Sequence, residues 1–232
     1  PFPFDTVSAP GSTKNTAGYY LRPGIDYLDL FIGGSVTPGK WPEYAASHLL
    51  LNDGKGNFTY NPDALPDTKA SGSCVVACDY DKDGDLDLFI GGRVVPGSYP
   101  SAAKSYLLKN DGGKFSDVSA TELPSLGKIG MVTSALWTDY DNDGWIDLML
   151  VGEFMPITFI KNNSGKLAAS SPITINHSQG WWNSITAADF DEDGDIDYII
   201  GNLGLNTRHK ASTKEPLCIY AKDFDKDGRL DP

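Results

Sequence analysis

The chain has 232 residues, long enough for one large or two small domains with a real core, and its 40% apolar and 11% aromatic content excludes a disordered composition. A formal net charge of −12 excludes a nucleic-acid binder, whose excess charge would be positive and spread over a face. No window approaches eighteen apolar residues, so no membrane-spanning segment is expected, while 25 Gly and 15 Pro favour a loop-rich β protein.

In chain order, the opening "PFPFDTVSAP" has neither a charged n-region nor an apolar h-region, so no signal peptide is expected. Next, "YLDLFIGGSVTPGKWPEYAASHLLLNDGKGNF" (27–58) lines up with "DLDLFIGGRVVPGSYPSAAKSYLLKNDGGKF" (85–115), which makes it a first copy of a repeat. Within it, "LLLNDGKGNF" is an apolar run, an Asn/Asp/Gly turn and a second β-prone run, a hairpin signature that returns as "YLLKNDGGKFSD" and "TFIKNNSGKLAA". The segments "SCVVAC", "MVTSALWT" and "WWNSITAA" are apolar and β-branched, and "DLFIGG", "DLMLVG" and "DYIIGN" are strand-like runs that reach Gly or Asn. Between the members of each pair stands an acidic loop: "DYDKDGDLD", "DYDNDGWID" and "DFDEDGDID", with a fourth copy, "DFDKDGRLD", near the end.

One unit therefore reads strand, acidic loop, strand, connection, strand, turn, strand. Four antiparallel strands in roughly 50–60 residues is the grammar of a propeller blade. The spacing is 60 residues from Asp87 to Asp147 and 50 from Asp147 to Asp197. We expect an all-β β-propeller of four-stranded antiparallel blades in a single domain over 1–232, with approximate repeats at 20–70, 71–125, 126–178 and a truncated or irregular 179–232. With no outer hairpin in "GNLGLNTRHKASTKEP" and no strand after the last loop, an incomplete propeller from a longer parent chain is expected. Cys74 and Cys78 lie about 13 Å apart along one strand, too far for a disulfide. With Cys218 they make an odd count, read as small buried hydrophobes.

The acidic loops hold 19 of the 31 acidic residues, and outside them 16 bases outnumber 12 acids. Carboxylates at loop positions 1, 3 and 5 can turn to one point, Gly at position 6 permits the positive φ of a sharp turn, and Asp at position 9 closes the shell. An all-oxygen shell without His or Cys suits Ca²⁺, with Mg²⁺ second. An EF-hand shares D-x-D-x-D-G but needs Glu at position 12, where this chain has Ile90, and flanking helices.

These loops, with the Phe/Ile-Gly-Gly that follows, resemble FG-GAP/VCBS repeats, the blades of integrin-α-type propellers and of bacterial surface proteins, including those that accompany ASPIC/UnbV-type domains. The resemblance spans about residue 20 to 232. It implies structural Ca²⁺, three to four ions, held by the side chains of Asp79, Asp81, Asp83 and Asp87 with the Asp85 carbonyl; Asp139, Asp141, Asp143 and Asp147 with the Trp145 carbonyl; Asp189, Asp191, Asp193 and Asp197 with the Asp195 carbonyl; and Asp223, Asp225, Asp227 and Asp231 with the Arg229 carbonyl. Four such ions would reduce the net charge from −12 to about −4. The first unit retains only Asp26 and Asp29 in this region, and is expected to keep the blade while losing, or nearly losing, its ion.

No catalytic constellation is present: His48, His177 and His209 are scattered, and no nucleophile elbow, P-loop or dinucleotide fingerprint occurs. Trp181 and Trp182 enter an inner strand, where one is expected between blades and the other is a possible ligand contact. We expect a non-enzymatic, calcium-binding module of an extracellular, cell-surface or periplasmic protein that binds a protein or glycan in adhesion. A polysaccharide-processing enzyme, or an accessory part of an extracellular hydrolase, and a lectin remain alternatives.

Overall fold

The computed structural model describes residues 17–22, 25–34, 36, 41–68, 71–167, 172–204, 207–212, 214–228 and 230–231, with side chains from residue 29 onward except that of Lys128. Strands β1 (Ala17–Arg22), β2 (Ile25–Ile32), β3 (His48–Asn52) and β4 (Phe58–Asn61) form a sheet in sequential order. So do β5 (Gly72–Cys78), β6 (Asp87–Gly92), β7 (Tyr106–Asp111) and β8 (Lys114–Asp117). A one-turn helix α1 (Ser119–Glu122) and a 3-10 segment (Pro124–Lys128) lead to β9 (Met131–Thr138), β10 (Asp147–Met155), β11 (Thr158–Ile160) and β12 (Ile173–Thr174). β13 (Gly180–Ala188) and β14 (Asp197–Asn202) follow, and all pairings are antiparallel.

Each four-stranded set is a blade, and the period-2 alternation of its middle strands sends side chains to two different neighbours. In β6, Phe89 joins Leu107, Val132, Leu148 and Leu150 on one face, while Leu88 and Ile90 join Phe31, Leu49 and Leu108 on the other. In β10, Leu148 and Leu150 face that first cluster, and Met149 and Val151 face Phe159 and Trp182. All six residues of β6 are therefore buried, each large apolar side chain contributing roughly 1.5–3 kcal/mol. The innermost strands β1, β5, β9 and β13 stand next to one another, the arrangement of blades around an axis.

Equivalent hydroxyls stitch the inner strands together. Ser73 Oγ donates to Val132 O (2.5 Å), and sixty residues on Thr133 Oγ1 donates to Trp182 O (2.7 Å). The second glycine of "IGG" is required by close approach: a Cβ on Gly34 or Gly92 would stand 2.1 or 2.3 Å from the carbonyl oxygen of Ala45 or Lys104.

Three details depart from the strand pattern expected of the sequence. β10 does not stop at Gly152 but continues through Phe154, at φ 54°, and its end pairs with the start of β13 (Glu153 with Trp181, Met155 with Gly180). Blades three and four thus share one six-stranded sheet. Among the described residues, the segment after "NNSG" contributes only the bridge of Leu167 to Asn162, and the fourth strand is supplied later, by Ile173 and Thr174 against β11. In the first unit β1 and β2 pair from Arg22 to Ile25, so two residues stand where blade two has an eight-residue acidic loop.

Candidate metal centre

Each acidic loop joins the innermost strand of a unit to the next strand or, for the fourth, closes on the bridge between Lys222 and Asp231. Position 1 anchors the turn. Asp79 accepts the backbone N–H of Asp83 (3.0 Å) and of Gly84 (3.1 Å), and Asp139, Asp189 and Asp223 repeat both bonds in their own loops. The Gly at position 6 has φ of 86–98° in all four. Position 4 is also left-handed throughout, at Lys82, Asn142, Glu192 and Lys226 (φ 55–65°), an unfavourable place for the three that are not Asn and one that the sequence pattern did not reveal.

The loops converge carboxylates from positions 1, 3 and 9. One oxygen each from Asp79, Asp81 and Asp87 lie within 4.8 Å of one another, as do those of Asp139, Asp141 and Asp147, of Asp189, Asp191 and Asp197, and of Asp223, Asp225 and Asp231. The position-5 carboxylates stand outside these triplets. Asp83, Asp143 and Asp193 instead accept the backbone N–H of Asp85, Trp145 and Asp195 at 2.9–3.0 Å. The side chain of Asp85 turns away to accept the Gly112 N–H (2.9 Å), and Arg229 lies outside the described residues.

Position 9 has a second role that the spacing alone did not suggest. Asp87 Oδ1 accepts the N–H of Asn110 (2.8 Å), Asp147 Oδ1 that of Asn162 (2.6 Å), and Asp29 Oδ1 that of Asn52 (2.9 Å). Each Asn lies at or just beyond the C-terminal end of the third strand of its blade, so this carboxylate ties the loop to the outer hairpin. Asp29 keeps that structural tie in a unit without the ladder, while the side chain of Asp26 lies outside the described ones. The recurring Asn of "LLLN", "LLKN" and "FIKN" was the available signal.

Asp87 is fully buried, yet its Oδ2 has no hydrogen-bond partner among the described residues. Burial pushes its carboxyl up to about 7, against the pull of the Asn110 N–H and with added repulsion from Asp81 and Asp83. Asp147 is raised for the same reason. An unpaired buried oxygen on a carboxylate that converges with two others is poorly satisfied by protein alone, and an oxygen-seeking cation fits it.

Lysines from the third strands also reach the loops. Lys109 Nζ pairs with Asp81 Oδ2 and lies 3.4 Å from Asp83 Oδ2, and Lys161 Nζ pairs with Asp141 Oδ2 and lies 3.0 Å from Asp143 Oδ2. Adjacent loops touch: Lys82 Nζ bonds Gly144 O (2.8 Å) and sits 4.0 Å from the Trp145 ring centroid, and Asn142 Nδ2 reaches Asp195 Oδ1 (3.3 Å).

The other singled-out side chains lie elsewhere. Trp182 packs on Met149, Val151 and Phe159 between the third and fourth units, with Nε1 donating to Ser178 O (2.9 Å), and Trp181 lies 5.2 Å from the Phe154 ring. His48 packs edge-on against Tyr60, whereas His177 and His209 sit in turns. All three cysteines are free, and burial pushes the Cys74 and Cys78 thiols up to about 12.

Comparison with known proteins matches this geometry to a family. The model of the FG-GAP-like repeat matches residues 26–90 and 139–200, together more than half of the chain. No curated protein matches the sequence. Among solved structures, a lectin from Agrocybe aegerita, described for its recognition of non-reducing terminal N-acetylglucosamine, is similar at a TM-score of 0.51 and 18% identity. The similarity covers 82% of this chain and 47% of the lectin chain, so this chain spans about half of that protein, and at this identity it speaks for the fold.

Proposed function

This chain belongs to the FG-GAP-like repeat family, and from that premise we propose that it is a calcium-stabilised, non-catalytic binding module that works outside the cytoplasm on a glycan or protein ligand. The observation that carries the metal assignment is Asp87, whose Oδ2 is buried and unpartnered and whose carboxylate converges with those of Asp79 and Asp81. An all-oxygen donor set favours Ca²⁺, and millimolar extracellular calcium suits exposed loops of this kind. When bound, the ion would neutralise the carboxylates at positions 1, 3 and 9; position 9 is also held by the outer hairpin. Thermal unfolding with Ca²⁺, Mg²⁺ or EGTA, alongside a metal count, tests this. Ca²⁺ is expected to raise Tm well above Mg²⁺, with three or four ions bound; an unchanged Tm would remove the assignment.

The ligand is assigned to the opposite end of the inner strands. A cleft of about 420 Å³ opens there, lined by Trp41, Ser71, Arg93, Thr133 and Asn183 among others. Trp41 is 67% exposed and offers a ring face suited to stacking on a sugar or an apolar side chain. The Arg93 guanidinium is fixed by Glu153, which also accepts from Tyr99. The lectin relationship supports a glycan first. Glycan and peptide arrays should reveal saturable binding that Trp41→Ala abolishes without lowering Tm. Binding indifferent to that change would move the ligand off this cleft, and turnover of a glycan would favour the enzyme alternative.

A further inference from the structure

The acidic loops are not equivalent in what neutralises them. In the loops beginning at Asp79 and Asp139, an ammonium group from the same blade's third strand already lies against the position-3 and position-5 carboxylates. Both lysines immediately precede the Asn at the C-terminal end of that strand or just beyond it, in "KN" at 109–110 and 161–162. In the first unit, which has no acidic ladder, Leu51 occupies the same place before Asn52. The lysine thus goes with the ladder rather than with the hairpin. Around the loop beginning at Asp189 the picture differs. β14 is followed by no third strand among the described residues, and no described cation pairs with Asp189, Asp191 or Asp193.

We propose that Lys109 and Lys161 are built-in counter-cations that hold their loops folded without a divalent ion and weaken ion binding there. The inference rests on the calcium function proposed above. The second observation at the Asp79 loop is the buried, unpartnered Asp87 Oδ2, which the lysine does not satisfy. Lys109 pairs with Oδ2 of Asp81 and lies near Oδ2 of Asp83, so it competes for a position-3 carboxylate that an incoming cation needs and leaves Asp87 Oδ2 unsatisfied. A single positive charge about 5 Å from a divalent ion, screened as in water, opposes binding by roughly tenfold.

The test is calorimetric titration of the whole chain with calcium chloride, paired with thermal unfolding in EGTA, for Lys109→Met, Lys161→Met and Lys161→Arg. Each Met variant should bind one class of ion about tenfold more tightly while its Tm in EGTA falls. Lys161→Arg keeps the charge and should stay near wild type in both. A lysine that served only packing would lower Tm and leave the affinity unmoved or weaker, and that result overturns the proposal. Should the Met variants not fold in EGTA, calcium release from the loaded Met variants to excess chelator gives an independent check, since it should be about tenfold slower than from wild type. Release as fast as from wild type would refute the proposal. Wild-type protein that binds no calcium would sink the calcium function and this inference together; wild-type binding with unmoved Met variants would sink the inference alone.

Discussion

Asp87 carries opposite demands, and pH separates them. Its carboxyl is pushed up to about 7 in the folded chain, first by burial, while an unfolded aspartate titrates near 3.9. The folded state therefore binds the extra proton between those values. In the chelated chain its contribution to stability is intact below about pH 4 and is lost as pH rises through about 7. Asp147 acts in the same sense, and the depressed carboxyl of Asp117 matters only at lower pH. Tm measured in EGTA should fall across that window, and Asp87→Asn should flatten the slope and raise Tm at its alkaline end. A slope unchanged by the substitution would place the proton elsewhere. The ladder that makes Asp87 a candidate ligand was legible in the spacing. Its bond to Asn110 was not, because it joins residues 23 apart whose pairing depends on the finished sheet.

At the scale of elements, the tie between loop and hairpin differs from blade to blade. Asn162 Nδ2 bonds both Ile146 O (2.9 Å) and, across the blade boundary, Tyr80 O (2.8 Å), while its Oδ1 accepts the Gly165 N–H (2.9 Å). Asn110 makes the two corresponding local bonds, to Leu86 O and from Gly113 N. Asn162→Ala should therefore destabilise by about 3 kcal/mol and Asn110→Ala by about 2, at roughly 1 kcal/mol for each group left unsatisfied. Urea unfolding of the two variants measures the difference, and equal losses would mean that the contact with Tyr80 contributes nothing. Strands with period-2 alternation and an Asn-Gly type of turn were visible in the sequence. The Gly112-Gly113 turn, for example, has φ of 60° and 94°, as a two-residue hairpin needs. The late fourth strand at Ile173–Thr174 and the extension of β10 past Gly152 were hidden, since both are set by which neighbouring edge is available.

Across the molecule, burial of equivalent residues depends on what packs on each blade. The aromatic at loop position 2 is 1% exposed at Tyr80, where it stacks on Trp137 and bonds Glu122, but 51% exposed at Phe190 and 65% at Phe224. Repeat and loop motifs announced the propeller-like architecture through composition and spacing alone. The hooks of Ser73 and Thr133 between inner strands, and the lysines on the loops, carry no local signature, because Ser, Thr and Lys have many roles on a strand. The next residue in the hook series, Asn183, is exposed and lines the cleft instead.

The joining of β10 to β13 bears on how the chain responds to force. Elsewhere among the described residues no ladder crosses from one blade to the next, and blades one and two share the backbone bond from Gly72 N–H to Gly34 O (3.1 Å). Between the third and fourth units, Glu153 and Met155 share backbone pairing with Trp181 and Gly180. A pull on the fourth unit is thus transmitted directly into the middle strand of the third, and the two yield as one mechanical body while the second blade can come away separately.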